Sequence, residues 1–257
     1  MSFTSLGLSQ SLLDALAAQN YITPYPVQKE VIPAILDKKD VLGIAKTGSG
    51  KTASYVLPIL MNLQEKNFRK NRHVQVLVLV PTRELAVQVE DVFKLFGEAV
   101  NKTGPQKIKS MAVFGGASIN PQMMGLQGVH ILVATPGRLL DLVEVHAVHL
   151  SEIDTLVLDE ADKMLNAGFK KEMTRIFDLR PPKRQNLLFS ATLNEDITAI
   201  HQILLHDPVV IKIESHEENI DLINQSSYEV SAERKGPLLR YLIKNKEMNQ
   251  VLVFTSS

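Results

Sequence analysis

The chain has no cysteine and no tryptophan, its aromatic content is only 5%, and its 28 Lys and Arg are cancelled by 28 Asp and Glu. Each shortage closes off a class of protein. Without cysteine there are no disulfides and no thiolate metal sites, which fits a reducing compartment. Few aromatics exclude a row of base-stacking platforms along a bound single strand. A formal charge of zero removes any bulk attraction to polyanions, so a nucleic-acid contact has to be a local patch. No run of about 18 apolar residues occurs, and the N-terminus has no basic stretch leading into an apolar core. The expectation is a cytoplasmic protein with no membrane partner. His146, His149, His201, His206 and His216 show no metal-ligand spacing and suit helix surfaces or a linker better.

What is present is a chain of 257 residues, 45% hydrophobic, enough for one large core or for a domain and part of another. Apolar runs near 40–45, 74–80, 108–113, 129–134, 154–158, 185–189 and 209–213 alternate with helical patterns at 53–63, 82–99, 136–145, 169–179 and 195–205. This alternation predicts an α/β fold, a mostly parallel β-sheet with helices on both faces. The repeat Leu85, Val89, Val92, Phe93 and Phe96 is expected to be core packing, not a cofactor groove. The polar stretch 214–219 looks like a linker. After it come a possible strand, Ser226–Val230, a helix at 232–245 and the apolar run Val251–Phe254. These are too few to bury a core of their own. The expected organisation is a domain at 1–213, a linker at 214–225, and the truncated beginning of a second domain at 226–257.

Two segments carry chemistry. Ala45-Lys46-Thr47-Gly48-Ser49-Gly50-Lys51-Thr52 lies between a predicted strand and a predicted helix, the context of a phosphate-binding P-loop. Gly48 and Gly50 let backbone amides turn towards phosphate oxygens, the helix N-terminus adds its dipole, and Lys51 supplies a charge for the β- and γ-phosphates. Thr52 offers a hydroxyl to Mg²⁺. The usual pattern begins with glycine, and Ala45 stands there instead, a difference of one methyl. The second segment, Asp159-Glu160-Ala161-Asp162, ends the apolar run 155–158. Open α/β sheets bind ligands at the C-terminal ends of their strands, so Asp159 is suited to hold Mg²⁺ and Glu160 to orient a water beside the γ-phosphate. A solvated acidic turn is the alternative for those four residues taken alone. The outline is that of a RecA-like ATP-binding core.

Further peptides follow in order: Pro81-Thr82-Arg83-Glu84-Leu85-Ala86, Gly115-Gly116, Thr135-Pro136-Gly137-Arg138, and Ser190-Ala191-Thr192. With the P-loop and the 159–162 segment, they resemble the DEAD-box ATP-dependent RNA helicases over nearly the whole chain. Pro24-Tyr25-Pro26-Val27-Gln28 is similar to the family's adenine-recognition motif, with Phe3 in the place of its isolated upstream aromatic and Tyr21 near the base. A glutamine amide offers one donor and one acceptor edge, which matches adenine N6 and N7 and implies ATP over GTP. Read without the family, Pro26 simply opens a helix and Gln28 lies on its exposed face. Asn20-Tyr21 replaces a Gly-Phe pair, Tyr25 a threonine, and Lys46 a frequent glutamine.

The resemblance implies RNA contacts by Pro81, Thr82, Arg83, Gly115, Gly116, Thr135, Pro136, Gly137 and Arg138. Threonine hydroxyls, glycine amides and guanidinium groups suit phosphate and ignore base identity, so binding is expected to be sequence-independent. Pairing of Arg83 or Arg138 with Glu84 or Asp141 is the structural alternative. The family also implies that Ser190 and Thr192 couple to Asp162, while spacing alone suggests a capping box from Thr192 to Glu195. The expected function is an RNA helicase core that uses ATP and Mg²⁺ to unwind duplexes or remodel ribonucleoproteins in the full-length protein, the 257 residues alone being nearly inactive. An ATP-gated RNA clamp and a DNA translocase are the alternatives.

Overall fold

A computed structural model of the chain describes residues 2–64, 73–105, 107–179, 181, 183–213, 224 and 226–255. They fall into two compact units, 1–215 and 216–257. In the first, a 3-10 turn at Phe3–Leu6 precedes α1 (Gln10–Ala18) and α2 (Pro26–Leu36). Strand β1 (Val41–Ile44) leads to α3 (Lys51–Gln64), β2 (Val76–Leu79) to α4 (Arg83–Thr103), and β3 (Ser110–Val113) to α5 (Ile119–Gly125). The chain continues through β4 (Ile131–Ala134), α6 (Pro136–Glu144), β5 (Thr155–Leu158), α7 (Ala161–Asn166), α8 (Lys170–Asp178), β6 (Gln185–Ser190), α9 (Glu195–Leu204) and β7 (Val209–Lys212).

The seven strands form one sheet in the order β3-β4-β2-β5-β6-β1-β7, with every pair parallel. Alternation along the strands from β3 to β1 feeds two separate cores, which is why the inner strands read as apolar runs, while the edge strand β7 buries only Ile211 and leaves Val210 half exposed. Val76, Val78, Val133, Val157, Leu187 and Phe189 face α1 to α4. Leu77, Leu79, Leu132, Leu156, Leu158 and Leu188 face α6 to α9. Gly43 sits opposite Phe189 in the β1–β6 register, and a Cβ there would lie 2.6 Å from the Phe189 ring. The ring occupies the space that a side chain on β1 would need.

One polar group ties the start of β1 to β6 and to the turn before the edge strand β7. Asp40 is buried at the entrance to β1, where its Oδ1 accepts from Asn186 N (2.7 Å) and its Oδ2 from Asn186 Nδ2 (3.0 Å) and His206 N (2.9 Å). Replacing Asp40 with alanine strands the two buried donors of Asn186, each costing about 1–3 kcal/mol, and the half-buried amide of His206. Asp40→Ala should therefore lower unfolding free energy by about 3 kcal/mol in urea titration, without altering the ligand loops at the other end of the sheet.

In the second unit the described residues form a 3-10 turn at Ala232–Arg234 running into α10 (Lys235–Asn245), which agrees with the helix expected at 232–245. The strands expected at 226–230 and 251–254 do not form. A strand exists only by pairing, and among the described residues of this unit there is no other strand to pair with. The expected linker at 214–225 lies outside the described residues apart from Asn224.

Candidate functional site

All strands point the same way, so the loops after β1, β5 and β6 emerge together on one half of the C-terminal rim, and those after β2, β3 and β4 on the other. On the first half lies a cavity of about 690 Å³. Tyr21, Gln28, Thr47, Gly48, Gly50, Lys51, Thr52, Asp159 and Glu160 line it. Ala45, Lys46 and Ser49 belong to the loop but not to the cavity wall. Ala45 is buried and turns its carbonyl towards Lys51. Among the described residues of the wall, Lys51 is the only cation.

Lys51 opens α3. Its ammonium donates to the carbonyls of Ala45 and Lys46, the latter at 3.0 Å, leaving one of three N–H donors for the cavity. Burial lowers its pKa, an effect opposed by the negative charges of Asp159, Glu160 and Asp162. Gly50 takes φ +88, and a Cβ there would meet Gln28 Nε2 at 2.7 Å, so glycine is required by both backbone and space.

Asp159 follows β5 and is almost wholly buried. Its amide donates to Leu79 O at 3.0 Å, and its Oδ2 accepts from the Tyr55 hydroxyl at 2.9 Å, while Oδ1 has no partner. Burial pushes the carboxyl above its usual range, partly offset by the Tyr55 hydrogen bond and by Lys51. The Tyr55 hydroxyl is pushed up too, by burial first and by the Asp159 charge next. Glu160 occupies the left-handed region at φ 52, an uncommon conformation for a residue with a side chain. Its carboxylate pairs with Lys163 at 3.0 Å, and the Thr47 hydroxyl lies 3.5 Å away.

Asp162, at the start of α7, reaches the turn after β6. Its Oδ2 accepts from Ala191 N (3.2 Å) and from the Thr192 hydroxyl (3.1 Å). Ser190 Oγ instead accepts from Thr192 N. The capping box expected from Thr192 is replaced: Asn194 caps α9 by accepting from Ile197 N at 2.9 Å, because the Thr192 hydroxyl is already committed to Asp162.

Several site residues sit differently from expectation. Phe3 is buried in the core with Leu6 and does not reach the cavity, since its 3-10 turn packs it against α2. Gln28 is not on an exposed face. It is fully buried, accepts from Tyr25 N (2.9 Å) and donates to Gly50 O (3.1 Å), so it braces the P-loop while Pro26 still opens α2. Leu85 and Val92 line the cavity, whereas Val89, Phe93 and Phe96 are core. Helical periodicity places the apolar stripe but not where that stripe overhangs a void.

On the other half of the rim, Thr82, Arg83, Gly115 and Gly116 are exposed. Thr82 caps α4 by accepting from Leu85 N, and the Arg83 guanidinium lies 4.7 Å over the Phe114 ring. Pro81, Thr135, Pro136 and Arg138 are buried. The Thr135 hydroxyl accepts from Gly115 N, and Arg138 pairs with Asp141 (3.2 Å) and donates to Ala117 O (2.9 Å). The structural alternative therefore holds for Arg138, which braces the loop after β3. Gly137 is partly exposed.

The all-parallel sheet, the glycine-rich loop after β1 and the acidic end of β5 define a P-loop protein of RecA-like fold. Residues 25–200 match the sequence profile of the DEAD/DEAH box helicase family. The chain is 39% identical over 255 residues to the ATP-dependent RNA helicase CshA of Limosilactobacillus reuteri, covering 99% of this chain and 49% of that protein. Against the ATP-dependent RNA helicase DeaD of Haemophilus influenzae the figures are 37%, 99% and 40%. The crystal structure of a DEAD box protein from the hyperthermophile Methanococcus jannaschii superposes with a TM-score of 0.75 at 35% identity, over 96% of this chain and 64% of that one. The chain belongs to the DEAD/DEAH box helicase family. It spans about half the length of the curated relatives it matches. No helix among the described residues is long and apolar enough to cross a membrane.

Proposed function

We propose that these residues form the ATP-binding and RNA-contacting part of an ATP-dependent RNA helicase, which in the whole protein couples ATP hydrolysis to duplex unwinding or ribonucleoprotein remodelling. The observation that carries this reading is the meeting of the Lys51 ammonium, the unpartnered Asp159 Oδ1 and Glu160 around one cavity at the strand ends. The relatives named as ATP-dependent RNA helicases support the choice of ATP and RNA.

In this reading the P-loop amides and Lys51 cradle the β- and γ-phosphates. An unpartnered buried carboxylate oxygen and a threonine hydroxyl on one cavity wall suit a hard divalent cation, so Asp159 and Thr52 would hold Mg²⁺. That ion supplies neutralisation of the phosphate charge. Glu160 orients the attacking water. Gln28 retains one N–H and one lone pair beyond its two internal bonds, enough to read an adenine edge. Asp162, held by Thr192 and Ala191, links this site to the loop after β6. Thr82, Arg83, Gly115 and Gly116 contact the RNA backbone directly, and Thr135, Pro136, Gly137 and Arg138 shape the loops that present them. Lys51 is the only described cation on the cavity wall, and a transition-state arginine is worth about 10³–10⁵ in rate. The 257 residues alone should therefore turn ATP over slowly.

Calorimetric titration of ATP and GTP with Mg²⁺ tests the site. ATP should bind more tightly, and Gln28→Ala should cut that preference about tenfold, the value of one to two hydrogen bonds. Equal binding of the two nucleotides by the parent chain removes the adenine reading and leaves the phosphate loop.

A further inference from the structure

We propose that Tyr55 is a positioning residue, whose hydroxyl holds Asp159 by Oδ2 so that Oδ1 is presented to the divalent cation at the triphosphate. The inference rests on the nucleotide reading above. Tyr55 lies one turn after Thr52 on α3, so a single helix carries the Lys51 ammonium, the Thr52 hydroxyl and this phenol. The ring has little freedom. It is fully buried, with Phe93 at 6.4 Å and Phe189 at 5.3 Å between centroids.

Asp159 is equally constrained at its backbone, because its amide is spent on Leu79 O in the sheet. The carboxylate torsions are the only freedom left, and the phenol removes it by occupying Oδ2. Oδ1 is then the oxygen left over, buried and without a partner on the protein. A buried tyrosine commonly finds some acceptor for its hydroxyl. Here the acceptor comes from a strand end 104 residues away, and it is the carboxylate assigned above to the cation. Groups that orient a ligating carboxylate typically account for about 10–100-fold in metal affinity.

A tyrosine that merely satisfied its own hydroxyl in the core would affect stability alone. Tyr55→Phe separates the two roles, since it keeps the ring and its packing and removes one oxygen. ATP is titrated into parent and variant by calorimetry over a series of Mg²⁺ concentrations and in EDTA, with thermal melting to verify that the variant is folded. The expected result is a rise of about tenfold in the Mg²⁺ needed for half-maximal enhancement of ATP binding, with EDTA binding unchanged. In the Asp159→Asn background, adding Tyr55→Phe should produce no further change in Mg²⁺ requirement, because the phenol acts through that carboxylate. A parental Mg²⁺ requirement in Tyr55→Phe, or an equal effect in both backgrounds, overturns the proposal while leaving the nucleotide site standing. Failure of the parent chain to show Mg²⁺-dependent ATP binding overturns both.

Discussion

Lys51→Ala should weaken Mg²⁺-ATP binding by about 10- to 100-fold in calorimetry, the equivalent of a hydrogen bond to a charged group at about 1.5–3 kcal/mol. The ammonium is the only described cation on the cavity wall, so no other described residue of that wall replaces its charge. The nucleotide-free protein is expected to respond differently. Lys51 is buried and its pKa is lowered chiefly by that burial, so the alanine variant is relieved of a desolvated cation while the carbonyls of Ala45 and Lys46 lose their donor. Binding should therefore fall far more than thermal stability does. A variant that melts like the parent and binds ATP like the parent contradicts the assignment of the loop.

Asp159→Asn should have opposite effects on ligand and fold. Burial raises the Asp159 carboxyl above its ordinary value, so the folded state holds that proton more tightly than the unfolded chain does. The associated stability is fully present at acid pH, below the unfolded value of 3.8, and is lost as pH rises through the folded value. Above that folded value the protein carries a desolvated carboxylate that asparagine would not. The variant keeps an acceptor for Tyr55 and should melt higher at pH 7 to 8, by roughly 2–4 °C for each kcal/mol in a domain of this size. The difference should shrink as both proteins are taken to acid pH. The same change removes the anionic oxygen offered to the cation, so Mg²⁺ affinity should drop at least tenfold. A variant less stable than the parent at neutral pH would contradict the direction of the carboxyl's shift.

How much of this was legible beforehand follows the physics of each signal. The inner strands of the first unit stood out because a parallel strand buried on both faces needs an apolar run, and the edge strands β3 and β7, only partly buried, stood out by their short apolar stretches between helical patterns. Their order did not, since the placement of β1 between β6 and β7 depends on pairings across more than a hundred residues. The short helices α5 and α7 were missed because seven and six residues carry too little periodicity. P-loop and acidic residues were readable because their chemistry is local to a turn. Tyr55 was not, because inside Ala53–Leu63 a single phenol looks like any core aromatic until the fold brings Asp159 to it. Arg138 carried a readable warning in Asp141, three residues on. Phe3 carried none, as its burial is decided by where its turn lands. The runs at 226–230 and 251–254 have strand composition, but composition cannot supply a neighbouring strand.

The border between β2 and β5 divides the rim into its two halves. Leu79 is in register with Leu158, and the Asp159 amide donates to the Leu79 carbonyl just before the turn that presents Thr82 and Arg83. Adjacent strands lie about 4.8 Å apart. The carboxylate on the cavity wall and the loop that presents Thr82 and Arg83, proposed above for RNA contact, are thus separated by one rung of the sheet, and that rung is main chain. Side-chain substitution short of proline can change what either loop holds, but it leaves that main-chain hydrogen bond between their bases in place.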